Sequence, residues 1–158
     1  MDDEPLAAEG RALMLELKQA AVGLLARREH SRRELLRKLL RRSDDRVMIG
    51  GVLDELVERG YLSEERFAES YVRSRVSSGF GPLRIRLELK DRGLSDALIE
   101  ENLSADFDWC EHLARVSEKK YGSIQAGDRK EREKQTRFFL QRGFSYDQIA
   151  RLLWPLPD

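Results

Sequence analysis

The side chains in this 158-residue chain that could support chemistry are few and far apart. There are two histidines, each with a carboxylate one helical turn away: His30 with Glu34, and His112 with Asp108. That spacing could begin a metal site, but neither pair is followed by the third ligand that zinc requires, so solvated pairs are expected. Cys110, the single cysteine, lies near His112. Residues two apart on a helix point in divergent directions, and a half-buried cysteine is expected rather than a nucleophile with its base. Gly79-Phe80-Gly81-Pro82 lacks the lysine and the Ser or Thr of a phosphate-cradling loop, and Pro82 has no amide to offer. No catalytic group, metal or cofactor is expected, and the chain is not read as an enzyme.

What remains is binding by charge. Lysines and arginines total 29, as do aspartates and glutamates, for a formal net charge of zero, but the charges are segregated. Residues 27–42 hold eight basic and two acidic side chains, and residues 43–72 hold three and eight. Residues 73–92 hold six and two, residues 93–112 hold none and six, and residues 113–142 hold nine and four. Arg27, Arg28, Arg32, Arg33, Arg37, Lys38, Arg41 and Arg42 form the densest basic patch; Arg73, Arg75, Arg84, Arg86 and Lys90 form a second. The planar guanidinium fork suits phosphate and carboxylate oxygens. Phe67, Tyr71, Phe138 and Phe139 occupy core-like positions, so base stacking is not signalled. Basic and acidic blocks in alternation suit a partner that is itself repetitive and charged, although charge runs commonly form solvated helix faces.

The elements that must position these residues follow a period of 50. Leu39 returns as Leu89 and Phe139, Ile49 as Ile99 and Ile149, and Leu53 as Leu103 and Leu153. Ala21 maps onto Tyr71 and Tyr121, Arg42 onto Arg92 and Arg142, the turn residue Ser43 onto Gly93 and Gly143, and the helix-starting Asp45 onto Ser95 and Ser145. Such self-similarity marks a repeated supersecondary unit.

Within each unit the apolar spacing predicts helices. Residues 1–12 read as a flexible acidic tail, and a first helix is expected over about residues 12–28. Ser31 with Glu34 is a capping box opening a second, with Leu35, Leu36, Leu39 and Leu40 inward. A third, over about 45–58, buries Val47, Met48, Val52, Leu53 and Leu56 and ends at Gly60. Ser63 caps the next helix, and Pro82 suits a first helical position. Residues 83–90 alternate apolar and charged, which alone suggests a strand. The equivalent segment of the first repeat is strongly helical, and as a helix it has two apolar stripes, Leu83 with Leu87 and Ile85 with Leu89. Residues 122–128 read as an extended loop. Ser145 with Gln148 forms another capping box before the last helix.

The fold class expected is all-α, with nine helices in three tandem three-helix repeats over residues 13–62, 63–104 and 105–158, stacked into an elongated, curved array. No apolar run reaches the roughly 20 residues of a spanning helix, and no secretory signal is visible. A cytoplasmic location with no membrane partner is therefore expected, and the chain is expected to be a monomer.

The residues also carry a family resemblance. Ser31-Arg32-Arg33-Glu34-Leu35-Leu36-Arg37-Lys38-Leu39, then Val52 to Leu56, Gly60-Tyr61-Leu62-Ser63, Phe67-Ala68 and Tyr71-Val72 resemble the RecX family of bacterial recombinase regulators. Gly81 to Ile85 and Leu89 to Ser95 resemble that family's central repeat, and the likeness runs from about Leu17 to Leu153. Departures are minor: the acidic residue after the Gly60-Tyr61-Leu62 turn is either Glu64 or Glu65, and Ser43 stands where the other repeats have glycine. The resemblance implies three tandem three-helix repeats in a curved molecule. It further implies binding to the RecA recombinase filament on single-stranded DNA, and inhibition of RecA ATP hydrolysis, strand exchange and filament extension. Both basic patches then become candidate contacts, with single-stranded DNA reached through the filament or directly. The alternative is a helical-repeat protein that binds DNA without RecA.

Overall fold

The computed structural model describes residues 3–104, 106–122 and 127–155, which form nine helices and no strand. In chain order these are α1 (Asp3–Arg27), α2 (Arg32–Leu39), α3 (Arg46–Glu58), α4 (Glu64–Ser77), α5 (Pro82–Asp91), α6 (Asp96–Asn102), α7 (Trp109–Tyr121), α8 (Arg129–Arg142) and α9 (Tyr146–Leu153). Most of the loop expected over residues 122–128 lies outside the described residues, as does the chain after Pro155.

Local chemistry sets the helix starts. Ser31 and Ser145 form complete capping boxes with Glu34 and Gln148, each satisfying two otherwise orphaned amides. The Ser63 hydroxyl accepts from the Arg66 amide at 3.2 Å. The aligned positions Asp45, Ser95 and Ser145 are the N-caps of α3, α6 and α9, and each accepts from the amide three residues on. The period is also the core. Leu39, Leu89 and Phe139 are fully buried, as are Ile49 and Ile149, with Ile99, Leu53, Leu103 and Leu153 at most 6% exposed.

Two compact units are present, residues 1–67 with 92–94, and residues 68–91 with 95–158. In the first, α1, α2 and α3 pack pairwise around Leu17, Ala21, Leu35, Leu39, Ile49, Val52, Leu53, Leu56 and Leu62. In the second, α9 packs on α7 and α8 around Leu113, Phe139, Phe144, Ile149 and Leu153. The start of α5 meets the end of α8 backbone to backbone. Gly81 N–H donates to Arg142 O at 2.7 Å and Leu83 N–H to Gly143 O at 2.9 Å. Orphan amides of one helix thereby satisfy orphan carbonyls of another, with the two dipoles head to tail.

Several sequence expectations are corrected. α1 starts at Asp3 rather than near residue 12; Glu4 lies in the first turn, where the dipole favours an acid, and Pro5 needs no amide partner there. Val47 is 88% exposed, because it follows the first residue of α3, before the inward stripe begins. Of the two stripes on α5 only Ile85 and Leu89 are buried, while Leu83 and Leu87 face solvent. Cys110 is exposed, and both histidines are buried instead of solvated.

Buried imidazoles need hydrogen-bond partners. His30 Nδ1–H donates to Arg28 O at 3.0 Å, leaving Nε2 to accept from Lys38 Nζ at 3.0 Å. His112 Nε2–H donates to Phe80 O at 2.9 Å among the rings of Phe107, Trp109 and Phe144. Burial is the main cause that lowers both imidazoles below their ordinary value, with Arg28 and Lys38 repelling a proton at His30 and Arg115 at His112; the carbonyl bonds, and Glu34 at His30, oppose this only in part. As pH falls through about 6.5 the unfolded chain therefore binds protons that the folded chain resists, and stability declines. The melting temperature is expected to drop between neutral pH and about pH 5. A His30→Gln/His112→Gln double variant is expected to flatten that profile; equal slopes in parent and variant would show that the imidazoles stay uncoupled from folding.

Candidate polyanion-binding surface

The basic residues picked out in the sequence have different surroundings. In the first unit, Arg28 pairs with Glu34 at 3.0 Å and Arg32 with Asp54 at 2.6 Å. Arg42 makes a looser pair with Glu16 at 3.5 Å. Arg33 is exposed and its side chain lies over Gly93. Arg27, Arg37 and Arg41 are exposed and have no ion pair among the described residues. Among the described residues Lys38 is bound only to the neutral His30 ring, so its charge is not cancelled there.

Arg27, Lys38, Arg41 and Arg42 meet in an open groove of about 640 Å³ between the end of α1 and the end of α2, floored by Ala20, Gly23 and Leu24. Glycine at position 23 keeps the floor low, since nothing lies within 4 Å of where a Cβ would stand. Among the described residues no carboxylate lines the groove. Arg27 and Lys38 also offset the negative ends of α1 and α2, which accounts for part of the clustering. Arg37, on the same last turn of α2, extends the free charge outside the groove.

The second predicted patch is largely tied up within the second unit. Glu88 accepts from Tyr71 Oη, from Arg75 at 2.6 Å and from Arg84 at 3.2 Å. Arg75, Arg84 and Arg142 stack around the Phe80 ring at 3.8, 4.4 and 4.6 Å. Arg84 also donates to Gln141 O at 3.1 Å, and Arg142 to Ser78 O at 3.2 Å. Arg86 forks onto both oxygens of Glu100 at 2.7 and 3.2 Å, and Lys90 lies 3.5 Å from Asp96. Only Arg73 of this patch is exposed and without an ion pair among the described residues.

Burial alone would raise the Glu88 carboxyl, but the hydrogen bonds from Tyr71, Arg75 and Arg84 outweigh it and hold the group below its ordinary value. Glu88→Gln is expected to destabilise the protein by about 1–3 kcal/mol, because it leaves the half-buried Arg75 guanidinium, and the exposed one of Arg84, without their charged acceptor. Thermal denaturation checks this. An unchanged melting temperature would mean that the network is no more than surface pairing.

A third basic surface, outside the two candidate patches, lies on α8 within the basic block of residues 113–142. Arg129, Arg132, Glu133, Thr136 and Arg137 line an open groove of about 680 Å³ with Tyr146 and Trp154. Their spacing along the chain is the signal that could have found it: these α8 residues fall at i, i+3, i+4, i+7 and i+8, one polar face of a helix.

Among the described residues no group of three or more His, Cys, Asp or Glu could hold a metal ion, and no helix is long and apolar enough to cross a membrane.

Comparison with known proteins adds the family. Family models described as the second and the third three-helix domain of RecX match residues 63–103 and 106–153. A regulatory protein RecX of Halorhodospira halophila is 46% identical over 143 residues, covering 90% of this chain and 89% of that one. Another, of Ectopseudomonas mendocina, is 46% identical over 140 residues, covering 88% and 93%. The crystal structure of RecX from Lactobacillus salivarius matches with a TM-score of 0.75 at 26% identity, over 90% of this chain and 96% of that one. A second crystal structure, of a regulatory protein RecX, matches with a TM-score of 0.77 over 97% of this chain and 77% of that one; at 18% identity it bears on the fold alone.

Proposed function

Because this chain belongs to the RecX family of regulatory proteins, we propose that it binds the filament of the RecA recombinase on single-stranded DNA and restrains ATP hydrolysis, strand exchange and filament extension. The observation that carries this reading is the groove of Arg27, Lys38, Arg41 and Arg42, free of lining carboxylates among the described residues and flanked by the unpaired Arg37. A rigid helix end holding several uncompensated cations is suited to carboxylates or phosphates repeated along a polymer. Arg33 and Arg73 add exposed charge, whereas Arg75, Arg84, Arg86 and Lys90 each already have a carboxylate partner within the second unit. The protein acts on this reading as a monomeric, non-enzymatic binder, and the boundaries 13–62, 63–104 and 105–158 delimit its three repeats.

The decisive experiment measures DNA-dependent ATP hydrolysis by the RecA of the same host while the protein is added below stoichiometric amounts. Suppression of hydrolysis is expected. Unaltered hydrolysis at saturating protein would overturn the reading.

A further inference from the structure

The α8–α9 groove has features that the filament reading does not use. Tyr146, the first residue of α9, is 69% exposed, and Trp154, just past its last residue, is 42% exposed. Both line the same groove, although large aromatic side chains of a helical protein normally go inward, as Phe139 and Phe144 do here. The eight residues of α9 separate the two aromatics by roughly 12 Å along the helix axis at about 1.5 Å per residue. The facing wall belongs to α8. Among the described residues its one lining carboxylate, Glu133, is paired with Arg129 at 3.2 Å. Arg132 and Arg137 have no ion pair among the described residues, so the groove keeps net positive charge beside two accessible ring faces.

From this combination we infer that the α8–α9 groove is a binding site for single-stranded nucleic acid, with Arg132 and Arg137 on backbone phosphates and Tyr146 and Trp154 as stacking platforms for unpaired bases. Charge alone would suit an acidic peptide equally. The aromatics decide between them, because every base offers a π-face to stack upon while Asp and Glu side chains offer none. A duplex is disfavoured for the same reason, since its bases are already stacked on each other. The groove reads strand chemistry rather than sequence, as its buried hydroxyl, that of Thr136, already donates to Arg132 O at 2.7 Å instead of facing a base edge.

The test uses the full chain, bare oligo(dT) and no recombinase, so that its failure leaves the filament reading standing and the failure of that reading leaves this one standing. Of the two tryptophans Trp109 is 8% exposed, so quenching of the emission on adding oligo(dT) reports mainly on Trp154. Quenching is expected, and Trp154→Ala is expected to remove it. Trp154→Ala and Tyr146→Ala are each expected to weaken binding about 10-fold, whereas Trp154→Phe, which keeps an aromatic face, retains most of the affinity. Arg132→Ala/Arg137→Ala is expected to lower the slope of log affinity against log salt by about 0.7 for each phosphate that is no longer neutralised. Circular dichroism of each variant confirms that these surface changes leave the helices intact. Three results would overturn the inference: oligo(dT) fails to bind or binds without altering emission; the aromatic variants bind as the parent does while only the arginine variant weakens; or poly-glutamate displaces oligo(dT) at equal charge, which would make the groove an acidic-peptide site.

Discussion

Replacing Gly143 with alanine is expected to lower the melting temperature by roughly 10 °C, taking about 2–4 °C per kcal/mol for a chain of this size. Gly143 ends α8 in the left-handed region, at φ +97°, where a side chain costs about 1–2 kcal/mol. That strain is the smaller part. A methyl group there would press on the Arg84 Cβ and lie 2.6 Å from the Arg84 backbone nitrogen. Backbone cannot swing aside as a flexible side chain can. Relief requires α5 to back away from α8, stretching the bonds from Gly81 N–H to Arg142 O and from Leu83 N–H to Gly143 O, each worth about 1 kcal/mol net. Gly81 meets the same obstacle from the other side, since a Cβ on it would lie 2.6 Å from the Gly143 carbonyl. Gly60 provides the comparison. It has φ +79° but nothing within 4 Å of its missing Cβ, so Gly60→Ala is expected to lose only the conformational term, about 1–2 kcal/mol. If thermal denaturation showed equal losses for the two variants, the close approach of α5 to α8 would be disproved.

Reversing charge at Arg37 and Arg41 together is expected to weaken filament binding about 10- to 100-fold, since each change replaces an attraction by a like-charge repulsion. Both residues are exposed and unpaired among the described residues, so Arg37→Glu/Arg41→Glu should leave helix content and melting temperature near those of the parent. The loss should shrink as salt is raised, because exposed charges are screened beyond about 10 Å at 0.1 M. Reversal at Arg84 is expected to do the opposite. It breaks the bonds to Glu88 and Gln141 O and the stacking on Phe80, so stability falls before any effect on binding can be read. A reversed Arg37/Arg41 protein that suppressed RecA ATP hydrolysis as strongly as the parent would remove the α1–α2 groove from the interface.

The sequence by itself determined what is local or periodic. Ser31, Ser95 and Ser145 cap helices because a hydroxyl reaches the amide three residues on wherever the chain turns into a helix. Leu39, Leu89 and Phe139 are buried because a repeated unit repeats its inward face. Helix rather than strand at α5 followed from its alignment with α2, against its own alternating pattern. Only the tertiary structure decided which charges stand free. Arg75 and Arg37 look alike in the sequence, and what separates them is Glu88, which the fold brings within 2.6 Å of Arg75 from α5. The α5–α8 junction was hidden for the same reason, since Gly81 and Gly143 each read as an ordinary turn and only their meeting gives them a further role. So was the α8–α9 groove, whose helix face is polar and leaves no apolar stripe to follow. Caps and stripes arise from interactions spanning a few residues, whereas ion pairing and close backbone approach depend on what folding places across the gap.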